Sequence, residues 1–101
     1  MAEFVEFRAV FSGPLVYWRG PSPFHFVPVP AAQAAEIQAL APVLTYGWGA
    51  IPARVRIGRT DFTTAMFPKD GGYLVPVKDA VRRAEGLALG DTVIVELRLG
   101  G

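Results

Sequence analysis

The sequence predicts a small, mostly β protein: an antiparallel barrel of six or seven short strands with two short helices. Three observations predict it. Apolar and polar residues alternate through several segments, most clearly at 3–11, 51–57 and 92–99. Eleven Gly and nine Pro punctuate the 101 residues so closely that strands stay short and no βαβ spacing fits. About half of the chain (51%) is hydrophobic, with seven Phe, three Tyr and two Trp, enough for one compact core. A sheet of so many strands would remove its exposed edges by closing on itself.

Along residues 3–11, Val5, Phe7, Ala9 and Phe11 share one face, and Glu6 and Arg8 take the other with Phe4 and Val10. Period two predicts a strand buried on one side, ended by Gly13-Pro14. Val16-Tyr17-Trp18 is too short to assign, and Arg19-Gly20-Pro21-Ser22-Pro23 reads as a turn-rich connection. Residues 24–29 make the second strand. Pro28 and Pro30 cannot donate to a ladder, so its end lies at an edge or leaves the sheet. Pro30 also suits the start of a helix, predicted over 31–41 from its alanines, Gln33, Glu36 and Gln38. Ala34, Ile37, Leu40 and Ala41 give that helix a narrow apolar stripe, so it must dock on the sheet, and Pro42 stops it.

Residues 43–46 read as extended, and Gly47-Trp48-Gly49 turns the backbone on both sides of a large ring. Residues 51–57 form a strand with Ile51, Ala53, Val55 and Ile57 inward and Arg54 and Arg56 outward. A hairpin turn at 58–61 leads to a return strand at 62–67. Pro68-Lys69-Asp70-Gly71-Gly72 is a second turn, with Pro to preset φ and Gly to accept a positive one. A strand at 73–77 precedes a short helix at 78–85, with Val81 and Ala84 toward the core and Gly86 as its left-handed cap. Gly90-Asp91 turns the chain into the last strand, 92–99, whose Val93, Val95, Leu97 and Leu99 face opposite to Glu96 and Arg98. No repeat or linker interrupts this pattern, so residues 1–101 read as a single domain.

Ten Lys and Arg against nine Asp and Glu leave a net charge of +1. Duplex-binding proteins carry a clear basic excess; here only a local patch could serve. The absence of cysteine excludes disulfides and thiolate metal sites. One histidine cannot build a zinc site without three carboxylates, and the acidic residues follow no calcium-loop spacing, so neither metal nor cofactor is expected. Met1-Ala2-Glu3-Phe4 lacks the features of a signal peptide, and no run approaches the ~20 apolar residues of a membrane span. A cytoplasmic protein without a membrane partner is the expectation.

Chemistry-bearing residues are few. His25 is the only histidine; Ser12 and Ser22 lie outside a Gly-x-Ser-x-Gly elbow. No catalytic residue is assigned, and His25 reads as a surface or pocket-rim imidazole. Gly47-Trp48-Gly49 lacks the phosphate-loop pattern. Asp61, Asp70 and Asp91 read as turn residues that bond their own backbone. Lys78, Arg82 and Arg83 on the short helix, and Arg54, Arg56 and Arg59 on or beside one strand, could together hold an anion or a nucleic-acid backbone. The plainer reading is a solvated face, with Asp79 paired to Arg83 and Glu85 to Arg82. Tyr17, Trp18, Tyr46, Trp48 and Tyr73 could line a pocket or stack on bases, but plugging the barrel ends is favoured.

Taken in combination, Gly47-Trp48-Gly49-x-Ile51-Pro52, Arg56-Ile57-Gly58, Thr64-x-x-Phe67-Pro68-Lys69-Asp70-Gly71-Gly72-Tyr73, Pro76-Val77-Lys78-x-Ala80-Val81-Arg82 and Gly90-Asp91-x-Val93 resemble a bacterial domain-of-unknown-function family, numbered nineteen-oh-five. The resemblance runs from about residue 4 to residue 97. It implies a double-split β-barrel, the fold class shared with small antitoxin-type and AbrB-like transcription factors. Some members of that family are fused to a YdeI-like domain associated with bacteriocin protection. No catalytic residues come with it, and an aromatic is expected where His25 stands. Leu87-x-x-Gly90-Asp91-x-Val93-x-Val95 also resembles the Gly-Asp turn of swapped-hairpin DNA binders.

The expectation is therefore a non-enzymatic binding module for a small ligand or a protein partner. Its expected contact residues are Trp48, Arg54, Arg56, Tyr73, Lys78 and Arg82. A dimeric nucleic-acid-binding regulator is the alternative, and a homodimer is compatible with either.

Overall fold

The computed structural model describes residues 6–19, 23–44 and 50–100. Expectations placed on residues 3–5, on the connection at 20–22, on Tyr46 and on Gly47-Trp48-Gly49 lie outside them. The elements are β1 (Glu6–Pro14), β2 (Val16–Arg19), β3 (Pro23–Pro28), α1 (Ala31–Leu44), β4 (Ile51–Ile57), β5 (Thr60–Lys69), β6 (Gly72–Val77), α2 (Asp79–Glu85) and β7 (Thr92–Gly100). The seven strands form one antiparallel sheet, in the order β1-β7-β4-β5-β6-β3-β2, curled into a half-barrel. The expected mostly β fold with two helices is what forms.

Two long runs each serve two neighbours. In β5, Thr60 to Met66 pair with β4, and Phe67 to Lys69 pair with β6. β1 and β2 form one run broken only at Leu15, with β1 on β7 and β2 on β3. The two ends of the strand order are thus consecutive pieces of chain. Leu15 turns its side chain into the core. Its N–H donates to the Asp91 carbonyl and its own carbonyl accepts from Gly90 N–H, each at 2.9 Å. Gly13 lets the run pass close to β3: a Cβ there would stand 3.1 Å from Val27 Cγ1 and 3.2 Å from the Pro28 carbonyl oxygen. Gly13-Pro14 ends β1 as expected, from within the strand, with Pro14 closing the β1–β7 ladder opposite Thr92.

Alternation decides what is buried. Phe7 and Phe11 of β1, Ile51, Ala53, Val55 and Ile57 of β4, and Val93, Val95, Leu97 and Leu99 of β7 all face the core. So do Met66, Tyr73, Val75 and Val77 from β5 and β6, and Val27 from β3. Helix α1 docks through Ala34, Ile37 and Leu44, with Leu40 packed alongside. It runs through Pro42 instead of stopping there, so Val43 and Leu44 are helical and not extended. Pro42 sits in the last turn, where few intrahelical bonds remain to be lost, and burial of Leu44 holds that turn down.

Helix α2 buries only Val81; Ala84 is exposed, against expectation. At seven residues the helix presents a narrow stripe, and Glu85, not Ala84, reaches the sheet. Gly86 ends it at φ 64, with Leu87 N–H on the Arg82 carbonyl (2.9 Å) and Gly86 N–H on the Arg83 carbonyl (3.3 Å), a Schellman ending. Both hairpin turns are tighter than expected. Gly58-Arg59 joins β4 to β5 and Asp70-Gly71 joins β5 to β6, so Asp61, Pro68 and Lys69 belong to strands. Asp70 and Gly71 both take positive φ, 52 and 78, the type I′ geometry that suits an Asp-Gly hairpin.

A candidate anion-binding face

The outward residues of β1, β7, β4 and β5 line a shallow groove of about 780 Å³. Ladder register fixes which side chains stand side by side. Arg8 on β1 is opposite Arg98 on β7, Arg98 is opposite Arg54 on β4, and Arg54 is opposite Thr63 on β5. Three arginines thus occupy one cross-strand row. Two residues along, the next row reads Val10, Glu96, Arg56 and Asp61.

The two rows differ in electrostatics. Arg8 is held by Glu6 on its own strand, Nε donating to Oε1 at 3.1 Å. Arg56 reaches Asp61 Oδ2 at 3.9 Å and Glu96 Oε2 at 4.0 Å, and its Nε donates to the Gly58 carbonyl at 3.3 Å. Among the described residues Arg54 and Arg98 make no ion pair. Like charges directly opposite on a sheet are destabilising. A sheet that sets three arginines abreast breaks a local rule of its own stability, and such breaches concentrate at functional positions.

The expected contact residues do not form one surface. Arg54 and Arg56 share this face. Tyr73 is buried in the core beside Val75, as the favoured plugging reading expects, whereas Tyr17 and Trp18, assigned the same role, are exposed and do not plug the barrel. Lys78 is exposed at the start of α2, and Arg82 lies on that helix with its Nη2 donating to Asp79 Oδ1 at 2.8 Å. The expected pairs Asp79–Arg83 and Glu85–Arg82 are replaced by Asp79–Arg82 and by Glu85 bonded to the β4–β5 turn. Trp48 lies outside the described residues. Arg8 and Arg98 are the site residues the sequence did not single out. Only the pairing of β1, β7 and β4, strands far apart in the chain, brings them beside Arg54.

The family model described as Domain of unknown function (DUF1905) matches residues 11–97. The chain belongs to the DUF1905 family. No curated protein sequence matches it. Every arginine and acid of the two rows except Arg8 and Arg98 falls within the matched segment of this DUF1905 chain. The Gly90-Asp91 turn has an architectural role, since it anchors Leu15 and Asp91 Oδ2 accepts from Ala88 N–H at 2.8 Å. Among the described residues no helix is long and apolar enough to cross a membrane, and no group of three or more His, Cys, Asp or Glu could hold a metal ion.

A second polar cluster joins Tyr17 of β2 and His25 of β3 to the charges of Asp79 and Arg82 on α2. His25 is on the face opposite Phe26, as expected, across from Tyr17, whose ring meets the imidazole edge-on with centroids 5.2 Å apart. Burial, then the Arg82 charge, holds the His25 pKa below its ordinary 6.5, with Asp79 pulling the other way. Asp79 is in turn held below its ordinary 3.8, first by its hydrogen bond from Arg82 and then by that charge. A histidine with a lowered folded pKa binds its proton more readily when unfolded. Its contribution to stability is therefore present above the unfolded value and fades as pH falls through the folded one. The His25 ring proton shifts will titrate below 6.5. In Arg82→Gln the midpoint will rise part of the way back, since burial, the larger cause, remains. An unchanged midpoint would remove Arg82 from the account.

Proposed function

We propose that this DUF1905 domain is a non-enzymatic module that binds a small anionic ligand on the outer face of β1, β7, β4 and β5. The observation that carries this reading is the row Arg8–Arg98–Arg54, with Arg54 and Arg98 lacking carboxylate partners among the described residues. Two neighbouring guanidinium groups present forked donors that match a phosphate or a carboxylate. A groove of this size falls within the range of small-molecule sites. A long polyanion fits less well, because Glu96 and Asp61 stand in the adjoining row and the chain carries only +1 overall.

Calorimetric titration with inorganic phosphate at low ionic strength tests the reading. Saturable binding is expected, weakening as salt rises and lost in Arg54→Thr/Arg98→Thr. The same double variant is expected to be no less stable than the parent, and more stable by about 0.2–1 kcal/mol if relief of like-charge opposition dominates. No binding by the parent, or full binding by the variant, would overturn the proposal. Tighter binding of a mixed-sequence oligonucleotide than of phosphate, with a steep salt dependence, would favour the nucleic-acid alternative instead.

A further inference from the structure

Resting on that reading, we infer that the ligand is a phosphate ester of a hydroxylated small molecule, a sugar phosphate, and not a bare anion or a nucleotide. The argument concerns the second row. Glu96 and Asp61 carry carboxylates that only accept hydrogen bonds when ionised. Their side chains are 58% and 74% exposed. Arg56 approaches them only to 3.9 and 4.0 Å, beyond hydrogen-bond distance, while its Nε is turned to the Gly58 carbonyl. Neither carboxylate makes a hydrogen bond among the described residues.

Glu96 lies two residues along β7 from Arg98, roughly 7 Å away, and Asp61 lies diagonally across from Arg54, two residues along β5 from Thr63. A bare phosphate held by the arginines would meet the two carboxylates only as repulsion. A ligand with hydroxyl donors beyond its phosphate converts that repulsion into hydrogen bonds, with Thr63 beside Arg54 offering another polar contact. The groove has room for such a molecule and far more than a phosphate ion fills. The outward positions of the two rows carry no aromatic side chain, and Phe62, which also lines the groove, packs its ring against the core, so no face is offered on which a base could stack. That absence separates a sugar phosphate from a nucleotide.

Three probes test the inference by calorimetry: inorganic phosphate, ribose 5-phosphate and O-phosphoethanolamine, each against the parent and Glu96→Ala/Asp61→Ala. Ribose 5-phosphate is expected to bind the parent at least tenfold more tightly than phosphate. In the double variant the two probes should move in opposite directions. Phosphate tightens because two negative charges are gone, and ribose 5-phosphate weakens because its acceptors are gone. Equal affinities in the parent, or a parallel shift of both probes, would overturn the inference while leaving anion binding intact. Tighter binding of O-phosphoethanolamine than of ribose 5-phosphate would overturn it in favour of an ammonium-bearing ligand. Failure of every probe to bind the parent would instead remove the anion-binding reading itself. Circular dichroism of each variant confirms that the fold is retained.

Discussion

Phe26→Ala will lower the free energy of unfolding by about 3–5 kcal/mol and the melting temperature by on the order of 20 °C. Adjacent residues of a strand point to opposite faces, yet Phe26 and Val27 are both buried, at 1% and 0% exposure. Val27 belongs to the barrel core. Phe26 faces outward and is covered there by other rings. Phe67 meets it edge-on, with centroids 5.2 Å apart and planes at 86°, and Trp18 lies 6.2 Å away. Trp18 is 6.2 Å from Phe67 as well, and the Lys69 ammonium sits 4.1 Å from the centre of the Trp18 ring. The sheet β5-β6-β3-β2 thus carries a second, outer apolar layer with Phe26 at its floor. Removing that ring deprives two others of their edge-on and tilted contacts and opens a void between strands. Trp18→Ala, by contrast, truncates a ring already 42% exposed and is expected to cost about 1–2 kcal/mol. Urea denaturation of both variants checks the order. A Trp18→Ala loss as large as that of Phe26→Ala would contradict the layered arrangement.

The strands whose residues alternate cleanly were legible in the sequence. Ile51, Ala53, Val55 and Ile57 are buried, and Arg54 and Arg56 are exposed, because one face of β4 meets the core and the other meets water. The left-handed ending at Gly86 and the inward face of β7 were legible for the same local reason. Elements whose form depends on distant chain were not. Val16-Tyr17-Trp18 forms a strand only because β3 pairs with it. The helix runs past Pro42 because Leu44 has a place in the core. Ala84 lost its expected burial to Glu85, whose partners lie about 25 residues back in the chain.

The candidate site divides along the same line. Arg54 and Arg56 were visible as outward charges on a strand, but their meaning depends on register. Register sets Arg98 and Arg8 beside Arg54, and sets Glu96 and Asp61 beside Arg56. The same pairing separates Tyr73 from these arginines, since its side chain enters the core. Net charge concealed the patch too, because arginines and acids gathered on one face cancel in the total.

Gly58→Ala is expected to destabilise the fold by about 2–3 kcal/mol, through backbone strain and through displacement of Glu85. Gly58 is the first central residue of the β4–β5 turn at φ 60, where an L side chain is strained by about 1–2 kcal/mol. A Cβ there would also collide with the Glu85 carboxylate. That carboxylate holds helix α2 to the turn: Oε2 accepts from Thr60 Oγ1 at 2.6 Å and from Arg59 N–H at 3.3 Å. Displacing it forfeits both bonds. The two contributions separate in a double-mutant cycle. In a Glu85→Ala background the carboxylate is already absent, so Gly58→Ala should cost only the backbone strain. The coupling between the two substitutions should be about 1 kcal/mol or more, with the pair less damaging than the sum. Additive losses would show that Glu85 and Gly58 act independently. The consequence reaches the groove, because Gly58 also accepts the Arg56 Nε bond and Asp61 follows Thr60 directly. A loosened turn frees Arg56 to close on Asp61 and Glu96, and ribose 5-phosphate should bind Gly58→Ala more weakly than the parent while inorganic phosphate, held by Arg54 and Arg98 and less repelled by the paired acids, binds at least as tightly.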